Sequence, residues 1–112
     1  MRIAVSSTGK SLESKVAEVF GRCPYFLVVE IDGKKVKGFE AIENTSINQM
    51  GEAGISAAQM VVGKNVNTLI TGTIGPRALV VLKQFNIQIF SGTGLIKDIA
   101  QKFIEGKLEK IQ

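Results

Sequence analysis

Residues 66–94 read VNTLITGTIGPRALVVLKQFNIQIFSGTG, and the fold class follows from them. Val66 to Thr71 is a short apolar and β-branched run that ends in the loop Gly72-Thr73-Ile74-Gly75. Pro76 suits the first turn of a helix whose core face is Leu79, Val80, Leu82 and Phe85. Ile87 to Phe90 is a second buried strand, and it ends in Ser91-Gly92-Thr93-Gly94. Strand, helix, strand is a crossover unit, so these two strands run parallel with a right-handed connection.

Working outward, Leu95, Ile96, Ile99, Ala100, Phe103 and Ile104 recur at helical spacing and Gly106 closes that helix. On the other side, Gly51 to Gly63 carries Ala53, Ala57, Met60 and Val61 at helical spacing, with small residues facing the sheet. Further back, Tyr25 to Ile31 and Lys35 to Ile42 flank Asp32-Gly33, the signature of a hairpin. Neither face of Lys35 to Ile42 is cleanly apolar, which marks an edge strand, and Lys35 and Lys37 discourage pairing with another chain. The N-terminal run Ile3-Ala4-Val5 is a buried strand entering Ser6 to Lys10. Ser11 is placed to cap a short helix with Leu12, Val16, Val19 and Phe20 on one face, stopped by Gly21 and Pro24.

The expected order is β, short α, β, β, α, β, α, β, α, a single domain over residues 1–112. It assembles as a three-layer α/β structure with a five-stranded mixed sheet, order 3-2-1-4-5, strand two antiparallel and helices on both faces. That order is the ribonuclease H-like fold. Nucleases of that fold carry a carboxylate on the first strand for two-metal chemistry. Strand one here has none, and Glu40, Glu43 and Glu52 alone do not make a metal pair, which argues against a nuclease.

A chain of 112 residues, 45% hydrophobic, buries roughly two-thirds of the surface it exposes when unfolded and needs no disulfide. It contains no His and one Cys, which removes Ser-His and Cys-His nucleophiles, His bases and His-ligated metal sites. The formal charge of +4 favours anionic partners. Basic residues do not interleave with exposed aromatics, so no nucleic acid is expected. Nor is a membrane, because no apolar run approaches the roughly 20 residues of a span. An unpaired thiol fits a cytoplasmic protein.

Ligands of open α/β sheets bind beyond the carboxyl ends of the strands where strand order reverses, here between strands one and four. The loops Ser6 to Lys10, Gly72 to Pro76, Ser91 to Gly94, Asn44 to Gln49 and Gly21-Arg22-Cys23 converge on that edge. Gly72, Thr73, Gly75, Ser91, Gly92, Thr93 and Gly94 open helices and are candidate backbone donors to an anion. Arg22 and Lys10 are the candidate cations. Neither loop matches a nucleotide-binding consensus. Cys23 beside Arg22 is the candidate metal ligand, since an adjacent cation lowers a thiol pKa and favours the thiolate that soft metals bind.

Phe20-Gly21-Arg22-Cys23-Pro24-Tyr25-Phe26, Gly51-Glu52-Ala53-Gly54-Ile55 with Ala57-Ala58-Gln59, and Ile70-Thr71-Gly72-Thr73-Ile74-Gly75-Pro76 together resemble the dinitrogenase iron-molybdenum cofactor biosynthesis family, which includes NifX-like proteins and the C-terminal domain of NifB. The resemblance runs from Met1 to about Leu108. It implies a non-enzymatic protein that binds or transiently carries an iron-sulfur or iron-molybdenum cluster or precursor, passed from or to a cluster donor or acceptor protein. Many members place a His just before Phe-Gly-Arg, where this chain has Val19. The residues leave two other readings open: an interaction module that docks through Asn44 to Gln49, and a phosphate or small-anion binder using the Gly-rich loops. A monomer or weak dimer is expected.

Overall fold

The computed structural model describes residues 1–47 and 53–111. Its elements are β1 (Arg2–Ser7), β2 (Tyr25–Asp32), β3 (Lys35–Glu43), α1 (Ala53–Val62), β4 (Thr68–Thr71), α2 (Pro76–Gln84), β5 (Gln88–Ser91), α3 (Ile96–Ile104) and β6 (Glu109–Lys110). They form one sheet of order β3-β2-β1-β4-β5-β6. β1, β4 and β5 are parallel, while β2 is antiparallel to both β1 and β3.

The sheet has six strands where five were expected. β6 returns antiparallel to β5, with Phe90 opposite Lys110 and Ser91 opposite Glu109. Its two charged, exposed residues carry no hydrophobic period, so nothing in the sequence announces a strand. Pairing is fixed instead by packing of the next residue: Ile111 donates its amide to Ile89 O at 2.7 Å and rests on the core beneath α1 and α2.

Alternation along each strand creates two cores. Ala4, Phe26, Val28, Leu69 and Ile89 face one side and meet Ala57, Ala58 and Val61 of α1 and Ala78 and Leu82 of α2. Ile3, Val5, Leu27, Val29 and Ile70 face the other and meet Ile96 and Ile99 of α3. Small residues let α1 and α2 lie close: a Cβ added at Gly54 would stand 3.4 Å from the Ala78 Cβ. Helices therefore cover both faces, as the sequence implied.

The helix expected from Ser11 to Phe20 does not form. Hydroxyls take the backbone bonds a helix would need: Glu13 N donates to Ser11 Oγ, Ser11 N to Ser14 Oγ and Lys15 N to Thr8 Oγ1. The segment instead crosses the carboxyl ends of β1, β4 and β5 as an extended strap. Val16 N donates to Gly94 O, Ala17 N to Ser6 O, Gly72 N to Ala17 O, Thr73 N to Glu18 O, and Phe20 N to Thr73 O. Its apolar residues split between the layers, Val16 toward α3, Ala17 and Phe20 toward α1 and α2.

Candidate functional site

The strap decides what the carboxyl edge of the sheet can offer. A Cβ at Gly72 would stand 2.5 Å from the Glu18 carbonyl oxygen, so this glycine exists to let the strap pass. The amides of Gly72 and Thr73, expected to donate to a ligand, already donate to Ala17 O and Glu18 O. The Gly92 amide donates to Thr71 O. Below the strap, Ser6 Oγ donates to Thr71 Oγ1 at 2.7 Å, and both residues are fully buried. Three of the expected backbone donors, the amides of Gly72, Thr73 and Gly92, are thus consumed by the chain's own carbonyls.

What remains is an open cleft of ≈ 870 Å³ whose wall includes the strap. Of the expected residues, Arg22, Cys23, Gly72, Thr73, Gly92, Thr93 and Gly94 line it. Lys10, Gly75 and Ser91 do not. The Lys10 ammonium lies 5.4 Å from the centre of the Tyr25 ring, Gly75 opens α2, and Ser91 ends β5 opposite Thr71 and Glu109. The strap adds Thr8, Lys15, Glu18 and Val19, which sequence reasoning assigned to a helix and its lead-in loop. The single overlooked signal was the run of hydroxyls at Thr8, Ser11 and Ser14, which disfavours a helix there.

Arg22 and Val19 also line a second cavity of ≈ 370 Å³ on the far side of the same loop. There the described parts of all three motifs meet: Phe20-Gly21-Arg22, Ala53-Gly54-Ile55 and Gly75-Pro76 with Arg77 and Ala78. Gly21 has φ +95°, and a Cβ on it would stand 3.0 Å from Gly54 Cα, so two motifs are glycine-to-glycine contacts between loop and helix. Gly51 and Glu52 lie outside the described residues.

Asn44, read from sequence as loop, is a buried anchor. Its Nδ2 donates to Cys23 O at 2.8 Å and Gly21 O at 3.3 Å, its amide donates to Pro24 O, and its Oδ1 accepts from Ser46 N. Residues 44–47 therefore hold the Gly21 to Pro24 loop in place, and Arg22 donates to Ile47 O at 3.1 Å. Asn48 and Gln49, the remainder of that expected docking loop, lie outside the described residues, as does Met50.

Cys23 is 1% exposed and packs with Phe20 and Phe26. Burial pushes its thiol pKa up, against smaller opposing hydrogen bonds from the backbone at Gly21, Ser7 and Cys23 and from the Asn44 amide. Arg22, exposed, does not lower it as the sequence suggested; desolvation wins. Among the described residues no group of three or more Cys, Asp or Glu side chains is placed to hold a metal ion. No helix among them is long and apolar enough to cross a membrane.

Known proteins resemble this chain over nearly its whole length. A protein of Methanocaldococcus jannaschii, MJ0580, is 38% identical over 100 residues, 88% of this chain and 85% of that protein. A second from the same organism, MJ0327, is 32% identical over 115 residues, covering 99% and 94%. The apo form of the orange protein from Desulfovibrio gigas superposes with a TM-score of 0.88 at 31% identity, over 97% of this chain and 91% of the other. The family model of the dinitrogenase iron-molybdenum cofactor matches residues 1–106. The chain therefore belongs to the dinitrogenase iron-molybdenum cofactor family.

Proposed function

We propose that the protein is a non-enzymatic carrier of an anionic iron-sulfur or iron-molybdenum cluster or precursor, held in the cleft at the carboxyl edge of the sheet. The observation that carries this reading is the cleft's size and charge. At ≈ 870 Å³ it falls within the range of small-molecule sites, and among the described residues Lys15 and Arg22 line it against the one carboxylate of Glu18. Family membership supplies the class of cargo. A ribonuclease H-like scaffold, cytoplasmic location and a cluster donor or acceptor protein as partner complete the proposal.

The fit of donors to cargo is outer-sphere. Lys15 and Arg22 supply charge. The Thr8 hydroxyl accepts from Lys15 N, which leaves its own hydrogen to donate. Among the described residues the charged groups lining the cleft, Lys15, Glu18 and Arg22, are all exposed, which suits carriage rather than catalysis.

Uptake of isolated iron-molybdenum cofactor and of a synthetic iron-sulfur anion, measured by anaerobic gel filtration and metal analysis, tests the reading. Lys15→Ala and Arg22→Ala should each weaken uptake about fivefold, the factor that ~1 kcal/mol represents, and more at low salt. Lys34→Ala in the β2–β3 hairpin should leave it unchanged. Uptake of neither anion discards the cluster assignment.

A further inference from the structure

We infer that the outer face of α2 is a docking surface for an acidic segment of a partner protein, one that presents an apolar side chain ringed by carboxylates. Val80 and Phe85 receive the apolar side chain, and Arg77 and Lys83 pair with the carboxylates. One carboxylate enters the cavity of ≈ 370 Å³ that Arg77 and Arg22 line. None of the α2 residues lines the cargo cleft, so this surface stands whether or not the carrier reading does.

Ala78 and Leu82 are the buried residues of α2, so the middle of its solvent face falls on Val80, three residues after Arg77 and three before Lys83. A surface helix ordinarily centres that face on polar or charged residues. Here Val80 is 55% exposed, and Phe85, at the C-cap, is 58% exposed. A single exposed apolar side chain is ordinary on any protein surface. Two of them on one nine-residue helix and its cap, with cations alongside, reproduce the apolar centre and charged rim of an interface.

The sign of the rim selects the partner. From Ala53 to Lys97 the chain has no Asp or Glu, although it has ten in all. That stretch holds α1, β4, α2 and β5, and its only charged residues are Lys64, Arg77, Lys83 and Lys97. Lys97 belongs to α3, on the other side of the sheet, and pairs with Glu13 at 3.2 Å. The helices α1 and α2 therefore carry basic charge alone. The cavity continues the pattern, since its described lining has two arginines and no carboxylate. A second copy docked by a two-fold axis through α2 would set Arg77 and Lys83 against themselves, which disfavours self-association here. A lipid surface calls for about four to eight clustered Lys or Arg, and α2 has two. An acidic protein segment satisfies both the charge and the apolar centre.

The probe is a synthetic helical peptide of Glu and Leu, titrated into the isotope-labelled full chain and followed by the backbone amide spectrum, with an analogue carrying Lys for every Glu. The acidic peptide should move the amide signals of Arg77, Val80, Lys83 and Phe85 and leave those of β3 in place. Arg77→Glu combined with Lys83→Glu should weaken binding about tenfold, and Val80→Asp should weaken it by a similar factor. Lys34→Glu combined with Lys35→Glu makes the same change in net charge away from α2 and should alter binding by less than about twofold. The Lys analogue should not bind. All the substituted side chains are exposed, and the spectrum of each variant reports whether it is folded. Three results overturn the inference: no movement of the α2 amides, equal movement with the Lys analogue, or equal weakening by the two double charge reversals. Sedimentation of the chain with vesicles of phosphatidylcholine and phosphatidylglycerol, abolished by Val80→Asp, also overturns it by making the face a lipid contact.

Discussion

Gly72 and Gly75 lie three residues apart in one loop, and from sequence both read as candidate anion donors. Their surroundings separate them. A Cβ at Gly72 meets the Glu18 carbonyl at 2.5 Å and Glu18 Cα at 2.8 Å, whereas nothing stands within 4 Å of one at Gly75, whose φ of −76° suits any residue. Gly72→Ala should therefore cost about 1–3 kcal/mol and lower Tm by at least about 4 °C, while Gly75→Ala should be neutral or slightly stabilising. Thermal unfolding of the two variants checks this; equal effects would mean that the strap is not seated on Gly72. Asn44 carries the converse lesson. Its type and position read as loop, yet its amide group ties the Gly21 and Cys23 carbonyls together. Cys23 shows how a local rule fails: a neighbouring cation in sequence lowers a thiol pKa only if both face the same solvent, and here one is exposed and the other buried.

At the scale of elements, β1 to β5 and the three helices were legible because their apolar residues recur at periods of 2 and 3.6 over enough residues to define a face. The strap was not, because Leu12, Val16, Val19 and Phe20 mimic a helical face while the intervening hydroxyls bond the backbone locally. Five backbone hydrogen bonds between residues 16–20 and the ends of β1, β4 and β5 make this irregular segment part of the sheet's edge. Hydrogen exchange should find the Ala17, Phe20, Gly72 and Thr73 amides as slow as those of β1 and β4, although no regular element contains any of the four. Exchange at loop rates would instead make the strap a loosely held cover and the cleft deeper than its static shape. β6 escaped notice for a simpler reason, being two charged residues held in place by the packing of Ile111.

For the whole molecule, the six-stranded sheet leaves one long edge, β3, with Lys35 and Lys37 exposed upon it. The register between β2 and β3 shifts at Glu30/Ile31, where Gly38 and Val36 stand opposite successive residues, so this edge is bulged as well as charged. Lys35→Val combined with Lys37→Val should promote association through β3, detected as concentration-dependent sedimentation; an unchanged coefficient would show that the bulge alone protects the edge. Nothing in the short edge β6, two residues long, needs such protection. The sequence by itself determined the α/β class, the order of the first five strands, the family and the absence of imidazole, because periodicity, motif spacing and composition are properties of the chain as written. Tertiary structure alone decided which candidate donors are free, because a backbone amide is spent or spare according to what segment lies over it. It placed the carbonyls of Ala17 and Glu18 on Gly72 and Thr73, buried Cys23, and brought Lys15 to the cleft in place of Lys10.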